Sequence, residues 1–274
     1  MPELPEVETI KRDLQQLVVG KKILDVTTDS PKQVKPSLKL VKKAIIGMAI
    51  KKVERRAKLI QIFLSNNKIL IIHLKLTGRV LIRDKQDPLD KWQHVTINLN
   101  GNQELRFCDL RKFGWVKLVT NKELQIINKE LGVEPFDKEF TVDYLKKLFA
   151  KTNRAIKIVI MDQKKISGIG NIYANDALFL AGINPRRPAK KLRNSEVTKL
   201  RKAIKKVLKA GIKHRGASDQ HYLDALGQKG SYQDHFLTYQ RDGQKCFNCQ
   251  GKIKRIKLGG RSTFYCPVCQ HLMP

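Results

Sequence analysis

The chain opens with Met1-Pro2-Glu3-Leu4-Pro5-Glu6, followed by a helix-like run from Val7 to about Val18. This opening has two interpretations. A proline in the first turn and an acidic residue near the positive end of the helix dipole would start a helix well. Alternatively, removal of Met1 would give Pro2 a free secondary amine, which is partly unprotonated at neutral pH. Such an amine can attack a sugar aldehyde carbon and form an iminium ion. The segment alone favours the helix start, so the rest of the chain has to decide.

The composition favours a polyanionic partner. Lys and Arg number 55 against 25 Asp and Glu in 274 residues, which gives a formal net charge of +30 at pH 7. Because neutralising phosphates releases counterions, we expect the partner to be nucleic acid. We expect no membrane association, since no apolar run of about 18 residues and no lipidation motif is present. We find no export signal and expect a cytoplasmic protein.

Four of the five cysteines lie near the end of the sequence, as Cys246-x2-Cys249 and Cys266-x2-Cys269. This spacing is typical of a zinc ribbon, in which two thiolate pairs complete a tetrahedral site. Two disulfides are the alternative, but a cytosol keeps thiols reduced. Because four thiolates leave no position open for water or substrate, we expect one structural zinc ion. Cys108 is interpreted as an ordinary strand residue.

A strand-rich part precedes a helix-rich part. Apolar runs bounded by Asn and Gly turn signals predict strands at 22–28, 50–55, 59–64, 69–76, 79–83, 92–99, 104–109 and 115–119. A short helix or irregular segment is predicted at 38–46, and helices at 142–151, 155–161, 173–181 and 194–211. We expect an α+β fold with an N-terminal β-sandwich and flanking helix, a helical helix-two-turn-helix domain and a C-terminal zinc ribbon. The predicted domains are 1–134, 135–235 and 236–274.

The strand-rich part has polar residues at positions where a β-sandwich does not require them. Lys58 stands at the entrance of a strand, where a cation is usually solvated. The runs His73-Leu74-Lys75-Leu76-Thr77-Gly78 and Asp109-Leu110-Arg111-Lys112-Phe113-Gly114 end strands at turns. An Arg and an aromatic residue two apart on an exposed turn can enter a base stack. The alternative is a turn with a buried Phe.

Between two predicted helices runs Gly168-Ile169-Gly170-Asn171. Such a turn lets backbone amides and the Asn171 side chain approach a phosphate closely. The run is neither a Rossmann nor a Walker pattern, because no strand precedes it and neither glycine series is complete. A helix-two-turn-helix fits.

Taken together, these motifs resemble formamidopyrimidine-DNA glycosylase, a family of bacterial base-excision repair enzymes for oxidised purines. The resemblance covers essentially the whole chain. It rests on six motifs in order, namely the PELPEVE start, the basic residue before the first long strand, the HLxxTG turn, the DxRxFG loop, the GIGNIYA turn and the terminal zinc ribbon.

The resemblance implies a bifunctional glycosylase and AP lyase that acts by β,δ-elimination. Pro2 would be the nucleophile at C1′ of the damaged nucleotide, and Glu3 the essential carboxylate that moves protons around the sugar. Glu6 would help to anchor the N-terminus, and Lys58 would contact the phosphate and the damaged nucleotide. Arg261, at the tip of the zinc hairpin, resembles the arginine that assists the δ-elimination.

The resemblance also implies contacts with double-stranded DNA that contains oxidised bases or abasic sites. Leu76, Arg111 and Phe113 would fill the gap left by the flipped base, with Leu76 where the family commonly has Met. Lys157 corresponds to a lysine near the lesion site. Further DNA-contacting positions correspond to His73, His94, Lys112 and Asn171. The implied enzyme is a monomer in the bacterial cytoplasm, associated with the nucleoid.

Two departures from the family pattern are visible. The segment Ala217 to Gln233, which should close over the flipped base, reads Ser218-Asp219-Gln220-His221-Tyr222 where relatives often have Ser-x-Arg-Asp-Tyr. This leaves the preferred oxidised purine open. The helix after the glycine turn has Asn175-Asp176 where a Glu is common.

Two other functions are considered. An endonuclease VIII-type glycosylase prefers oxidised pyrimidines, but that group typically has Glu-Gly-Pro where this chain has Glu3-Leu4-Pro5. A non-catalytic zinc-ribbon DNA-binding protein would account for the charge and the ribbon. It would not account for Pro2 and two glutamates together with Lys58.

Overall fold

The strand-rich part forms two mainly antiparallel sheets.

The computed structural model describes residues 2–219 and 221–272, which divide into two units. The first runs to Lys129 and also takes in Ile212–Gln233, and the second holds Glu130–Gly211 and the residues from Asp234 onward. The first unit has strands β1 Ile23–Thr28, β2 Val34–Lys35, β3 Ile50–Arg56, β4 Leu59–Leu64, β5 Ile69–His73, β6 Gly78–Asp84, β7 Gln93–Leu99, β8 Gln103–Asp109 and β9 Trp115–Val119.

Strand pairing follows the hairpins of the sequence. One sheet has the order β1-β7-β8-β6, and the other has the order β2-β9-β5-β4-β3. Only the short β2–β9 pair is parallel. Inward-facing side chains of both sheets join one buried apolar cluster that includes Val26, Ile60, Ile72, Val95 and Phe107. The first unit is therefore the predicted sandwich, with apolar strand faces turned towards a shared core.

Two helices contribute buried side chains to this core. The three helices of the first part of the chain are α1 Leu4–Leu17, α2 Leu38–Ile45 and α3 Asn121–Lys129. Helix α1 buries Val7, Ile10 and Leu14 in the shared cluster, as expected for an apolar stripe at helical spacing. It begins three residues earlier than Val7, the predicted start, because Glu3 and Glu6 form a capping box around a first-turn proline.

The second unit is mostly helical. Its helices are α4 Val142–Ala150, α5 Ile156–Ile160, α6 Asn171–Leu180 and α7 Asn194–Lys213, and its strands are β10 Lys254–Leu258 and β11 Arg261–Tyr265. Helix α6 is buried almost all round, including the polar residues Asn175 and Asp176. None of the helices in the described ranges is long and apolar enough to cross a membrane.

Strands β10 and β11 form a hairpin whose turn is Gly259-Gly260. Leu258 pairs with Arg261 across a two-residue loop, and both glycines have positive φ, 57° and 74°. A two-residue hairpin turn of this kind requires positive φ at both central positions, which glycine adopts without strain. The turn therefore presents Arg261 at the first position of the returning strand.

Candidate active site and nucleic-acid interface

The amino end of α1 holds two buried carboxylates. The Glu3 backbone N–H donates to Glu6 Oε2 at 2.8 Å, and the Glu3 side chain accepts from the backbone N–H of Glu6 to complete the capping box. Each glutamate is 1% exposed. A capping box satisfies two helix-terminal N–H groups at once. The helix start therefore fixes both carboxylates directly beside Pro2.

Helix α1 runs antiparallel to β3. Gln15 accepts from the Val53 backbone N–H at 2.8 Å, and about two turns nearer the amino end Glu8 accepts from Arg55 at 2.9 Å. From Glu8 back to Pro2, six residues of helix rise about 9 Å, and from Arg55 on to Lys58, three residues of extended chain span about 10 Å. The alignment therefore directs the Pro2 end of α1 towards the turn after β3.

That turn contains Lys58, which is 8% exposed and lies between β3 and β4. The next residue, Leu59, pairs with His73 on β5. Burial, followed by the positive charges of Lys75 and Lys58, lowers the pKa of His73 to about 3. His73 Nδ1 accepts from the Lys75 backbone N–H at 2.9 Å. His73 is thus a neutral imidazole at pH 7, able to hydrogen-bond but not to supply a charge.

The fully buried carboxylate of Asp109 holds the two turns, 73–78 and 109–114, whose residues are predicted to enter the base stack. Asp109 Oδ1 accepts from Thr77 Oγ1 at 2.5 Å and from the Arg111 backbone N–H at 3.3 Å. Its Oδ2 accepts from the Gly114 backbone N–H at 2.7 Å and from Gln33 Nε2 at 3.5 Å. Thr77 belongs to the turn of Leu76, whereas Gly114 closes the other turn. The sequence motif contained Asp109, but its part in joining the two turns was missed.

Gly114 is required by close packing. A Cβ at this position would lie 2.6 Å from the Phe107 ring and 2.8 Å from the His73 carbonyl oxygen. Contacts this short do not occur for real Cβ atoms, so a side chain would displace the turn.

The residues between Asp109 and Gly114 are exposed. Phe113 is 53% exposed, and the Arg111 guanidinium lies 4.6 Å from its ring centroid. Phe113 and Leu76 line one groove of about 540 Å³ together with Lys112 and three other lysines. The ring of Phe113 is thus not buried within its own turn. This geometry favours a turn whose Arg and Phe can enter a base stack over a turn with a buried Phe.

His94 occupies a different place, near the start of β7. Its Nδ1 donates to Asp29 Oδ1 at 2.9 Å, since a carboxylate can only accept. Its ring lines a cavity of about 530 Å³ with Trp92 and Thr28. His94, on β7, lies in the four-stranded sheet, whereas His73, on β5, lies in the five-stranded sheet, in which Lys58 occupies the turn between β3 and β4.

In the second unit, two predicted contact residues converge on the zinc hairpin. Lys157 is 1% exposed, and its Nζ donates to the Ser262 carbonyl at 3.1 Å and to Thr263 Oγ1 at 2.7 Å. Asn171 Nδ2 donates to the same carbonyl at 3.0 Å. Both side chains thus fix the strand next to Arg261, which is itself exposed. The Lys157 amine acts on the hairpin here, and its contact with DNA stays a prediction.

Helix α6 anchors the same region through the residues that depart from the family pattern. Asn175 Oδ1 accepts from the Phe264 backbone N–H at 2.9 Å. Asp176 Oδ1 accepts from the Thr238 backbone N–H at 3.0 Å. Both side chains satisfy buried backbone donors, a role that their sequence positions did not reveal.

The four terminal cysteines form a metal-binding cluster. Their Sγ atoms all lie within 4.8 Å of one another, with 3.4 Å between Cys249 and Cys266 and 3.8 Å between Cys246 and Cys269. A disulfide needs sulfur atoms about 2 Å apart, whereas zinc–sulfur bonds of about 2.3 Å separate tetrahedral ligands by roughly 3.8 Å. Backbone N–H groups point at Cys246 Sγ and Cys266 Sγ, both at 3.4 Å. The donor set and its spacing fit zinc.

Models of known protein families match three parts of the chain. The model of the formamidopyrimidine-DNA glycosylase N-terminal domain matches residues 1–116. The model of the formamidopyrimidine-DNA glycosylase H2TH domain matches 131–222, and that of a zinc finger found in FPG and IleRS matches 243–272. With the cysteine cluster, the last match assigns one structural zinc ion to the chain.

Whole-chain relatives agree with these matches. The formamidopyrimidine-DNA glycosylase of Pelotomaculum thermopropionicum is 43% identical over 98% of this chain and 99% of that protein. The protein of the same name from Herpetosiphon aurantiacus is 42% identical over 98% of this chain and 100% of its own length.

Solved structures give the same result. A complex of Lactococcus lactis Fpg with DNA containing an abasic site superposes with a TM-score of 0.93 at 32% identity, covering 98% of this chain and 100% of that one. A mutant of that protein bound to DNA containing Fapy-dG gives 0.94 at 32% identity, covering 99% and 100%. The α+β fold predicted from the sequence is confirmed.

Proposed function

This chain belongs to the formamidopyrimidine-DNA glycosylase family, and from that premise we propose that it is a bifunctional DNA glycosylase and AP lyase of base-excision repair. It removes oxidised purines such as 8-oxoguanine and formamidopyrimidines, and it then cuts the strand. The observation that carries this proposal is the buried pair Glu3 and Glu6, held by a capping box beside Pro2. The capping box accounts for one contact of each glutamate, and it also places two buried carboxylates at the residues that follow Pro2, where a nucleophilic amine needs groups that move protons.

The proposed chemistry begins once Met1, which lies outside the described residues, has been removed. The Pro2 nitrogen forms a bond to C1′ as the bond from C1′ to the base breaks, and the base leaves with a proton. The C1′–O4′ bond then breaks as O4′ takes up a proton, and the iminium ion that forms acidifies the C2′ proton, so that base-assisted elimination expels first the 3′ and then the 5′ phosphate. Glu3 moves the protons, Glu6 holds the helix start, and Lys58 offsets phosphate charge.

Access to the sugar requires the damaged nucleotide to leave the duplex, at a cost of roughly a few kcal/mol. In this proposal Leu76, Arg111 and Phe113 enter the vacated stack. The exposure of Arg111 and Phe113, the place of Leu76 in the same groove as Phe113, and the carboxylate of Asp109 that holds both turns support this role. Lys112, His73 and His94 contact DNA, His73 through a hydrogen bond because it is neutral.

The second unit contributes further DNA contacts in this proposal. Asn171 and Arg261 contact the backbone, Arg261 assists the second elimination, and Lys157 lies near the lesion. The structural zinc ion orders the hairpin that carries Arg261, since so short a segment buries little apolar surface. The three domains at 1–134, 135–235 and 236–274 stay a prediction. We further propose that the monomeric enzyme acts in the bacterial cytoplasm, at the nucleoid.

Borohydride trapping tests the proposal. Reduction of the iminium ion should leave the chain covalently attached to DNA that contains an abasic site. The adduct should be strongly reduced in Pro2→Gly, which replaces the secondary amine by a primary one, and in protein that retains Met1, whose terminal amine lies one residue farther from Glu3. Pro5→Ala is the matched control, because it changes a proline of the same helix but leaves the secondary amine of Pro2. A wild-type chain that binds this DNA without forming an adduct would establish the non-catalytic alternative.

A lesion panel tests the substrate class. Duplexes with 8-oxoguanine, formamidopyrimidine or an oxidised pyrimidine would be compared by single-turnover excision. We expect the two purine lesions to be removed faster. Faster removal of the pyrimidine would favour the endonuclease VIII-type alternative.

A further inference from the structure

One face of helix α7 presents a row of exposed lysines. Within Asn194–Lys213 they recur every three or four residues, and we call the following four the lysine stripe: Lys199, Lys202, Lys206 and Lys209. Residues at this spacing are neighbours on a helix surface. From the first lysine of the stripe to the last, the helix rises about 15 Å. The stripe is therefore a continuous strip of positive charge on the surface of the second unit.

The stripe ends before the last residues of α7. The chain from Ile212 belongs to the first unit, in which Arg215 pairs with Asp13 on α1 at 2.7 Å. Lys213 is exposed and continues the same spacing, but it belongs to that unit. The four lysines of the stripe all lie on the part of α7 that the second unit contains.

The opposite face of α7 is buried and packs against α6. A Cβ at Gly211 would lie 2.5 Å from Cε1 of Tyr173 on α6, and on the flank of the helix Arg201 Nε donates to the Phe140 carbonyl at 2.6 Å. The buried apolar residues of this face are Val197, Leu200, Ile204, Val207 and Leu208. The stripe therefore faces away from α6, the helix that begins at Asn171.

The stripe has no counter-charge on its own helix. The single acidic residue of α7 is Glu196, which is buried and pairs with Arg187 and Arg193. In the part of the chain that the structure describes, no acidic side chain forms an ion pair with a lysine of the stripe. The positive charge of this face is therefore left to solvent and to whatever binds there.

Such a face is unfavourable for the isolated helix. Like charges three or four residues apart destabilise a helix, whereas opposite charges at that spacing stabilise it. Helix α1 shows the stabilising arrangement, since its Glu8 pairs with Arg12 at 2.8 Å. On α7, burial followed by the positive charges of Arg201 and Lys209 lowers the pKa of the neighbouring Lys205. A bound polyanion would remove this repulsion.

The composition of α7 favours phosphates over other anionic partners. The helix contains no aromatic residue, and none of the large apolar side chains exposed in the described ranges lies on it. The cores of protein interfaces are enriched in aromatic residues and depleted in lysine, and a helix that lies on a membrane needs an exposed apolar face. One strand of duplex DNA carries a phosphate about every 3.4 Å along the axis, so that about four phosphates extend along the 15 Å of the stripe.

We propose that the lysine stripe is a second DNA-binding surface, which holds the backbone of another duplex segment while a first segment occupies the candidate site. Because the stripe faces away from α6, where Asn171 is predicted to contact DNA, the two segments do not compete for the same residues. Contacts with phosphates carry no sequence information, so any duplex segment can bind. The protein can then pass directly from one segment to the other. The proposal needs DNA binding but not the chemistry assigned to Pro2.

Dissociation in the presence of competitor DNA tests the proposal. The full-length zinc-loaded protein is first bound to a fluorescein-labelled duplex with tetrahydrofuran in place of the abasic sugar, which cannot form an iminium ion. Undamaged duplex is then added, and the loss of anisotropy gives the dissociation rate. Release through the free protein makes this rate independent of competitor concentration, whereas direct transfer makes it rise. Because non-specific DNA sites have Kd values of about 10⁻⁴–10⁻⁶ M, the wild-type rate should rise at least about threefold over that concentration range.

The fourfold variant Lys199→Gln/Lys202→Gln/Lys206→Gln/Lys209→Gln should dissociate at one rate whatever the competitor concentration. Glutamine has a helix propensity close to that of lysine, and all four side chains are exposed, so the fold should be retained. The double variant Lys202→Gln/Lys206→Gln should give an intermediate rise, and it decides the matter if the fourfold variant does not fold.

The matched control removes four exposed lysines that form no stripe, and its rate should rise as in the wild type. These lysines lie on α2, β3 and α3 of the first unit, and the control is Lys39→Gln/Lys43→Gln/Lys51→Gln/Lys122→Gln. Because both fourfold variants lose the same charge, a difference between them reports the arrangement of the lysines and not the net charge.

A wild-type rate that does not depend on competitor would overturn the proposal, and so would an equal rise in the wild type and the fourfold stripe variant. Acceleration by polyglutamate but not by duplex DNA would assign the stripe to an acidic protein and would overturn it as well. Borohydride trapping on abasic DNA should give the same adduct in the wild type and the stripe variant. Absence of the adduct from both would overturn the proposed chemistry, while the dissociation rates would still decide the second surface.

Discussion

Asp109→Asn should destabilise the first unit by about 3 kcal/mol. The carboxylate is fully buried and accepts two hydrogen bonds at each oxygen. An asparagine keeps one acceptor oxygen, so its NH₂ group replaces a charged acceptor either at the Gly114 N–H and Gln33 Nε2 or at the Thr77 hydroxyl and the Arg111 N–H, and the two bonds to the charged oxygen on that side are lost. Loss of two hydrogen bonds to a charged group, at about 1.5 kcal/mol each, gives this value.

Tryptophan fluorescence during urea unfolding measures the effect, because the two tryptophans of the chain, Trp92 and Trp115, both lie in the first unit. The midpoint should fall by roughly 1–3 M urea. Asp25→Asn is the matched control. Asp25 is 40% exposed and pairs with Lys42, so its loss should cost less than about 1 kcal/mol.

The same variant should also lose affinity for abasic DNA, because the turns that carry Leu76, Arg111 and Phe113 would no longer share one carboxylate. Fluorescence anisotropy with a labelled duplex measures this loss. A midpoint and an affinity for Asp109→Asn that match those of Asp25→Asn would refute the reasoning from buried hydrogen bonds.

Three further predictions concern pH, zinc and salt. Because burial lowers the pKa of His73 from 6.5 to about 3, only the unfolded chain gains a proton there as the pH falls below 6.5. The free energy of unfolding should therefore drop by about 1.3 kcal/mol between pH 7 and pH 5.5 through this group. Urea unfolding of His73→Asn should lack that drop, and the exposed control His271→Asn should retain it; identical pH profiles for all three proteins would contradict the assignment. Cys249→Ser should lose zinc by elemental analysis and weaken DNA binding, whereas the buried control Cys108→Ser should keep its zinc; undiminished metal in the first variant would rule out the four-cysteine site. Given the net charge of +30, DNA affinity should fall steeply from low to moderate salt, and a flat dependence would argue against phosphate contacts.

Strands could be predicted well where apolar runs end at turns. The predicted strands at 59–64 and 115–119 are confirmed as β4 Leu59–Leu64 and β9 Trp115–Val119. The strand at 69–76 was predicted too long, because β5 ends at His73 and Lys75 has φ of 53° in the following turn. Helix α3 was missed since it buries only Leu124 and so shows little apolar periodicity.

The candidate site likewise has parts that the sequence could predict and parts that it could not. The cysteine cluster follows from spacing, because each pair lies within one local turn. The contacts of Asp109 and Arg215 do not follow from any local pattern. Asp13 and Arg215 are 202 residues apart in the sequence, and a single charged residue carries no periodic signal. Such partners become visible only when the fold has brought them together.

The ion pair of Asp13 and Arg215 also has a consequence for biosynthesis. At about 5–20 residues per second, a ribosome adds Arg215 roughly 10–40 s after Asp13. For about the second half of that time, after Val119 has been added, the nascent chain contains α1 and both sheets but not the segment that completes their unit. A message truncated before codon 212 would therefore yield a chain whose first helix cannot form its ion pair with Arg215. Co-translational folding of this unit should finish late, with the synthesis of its last segment.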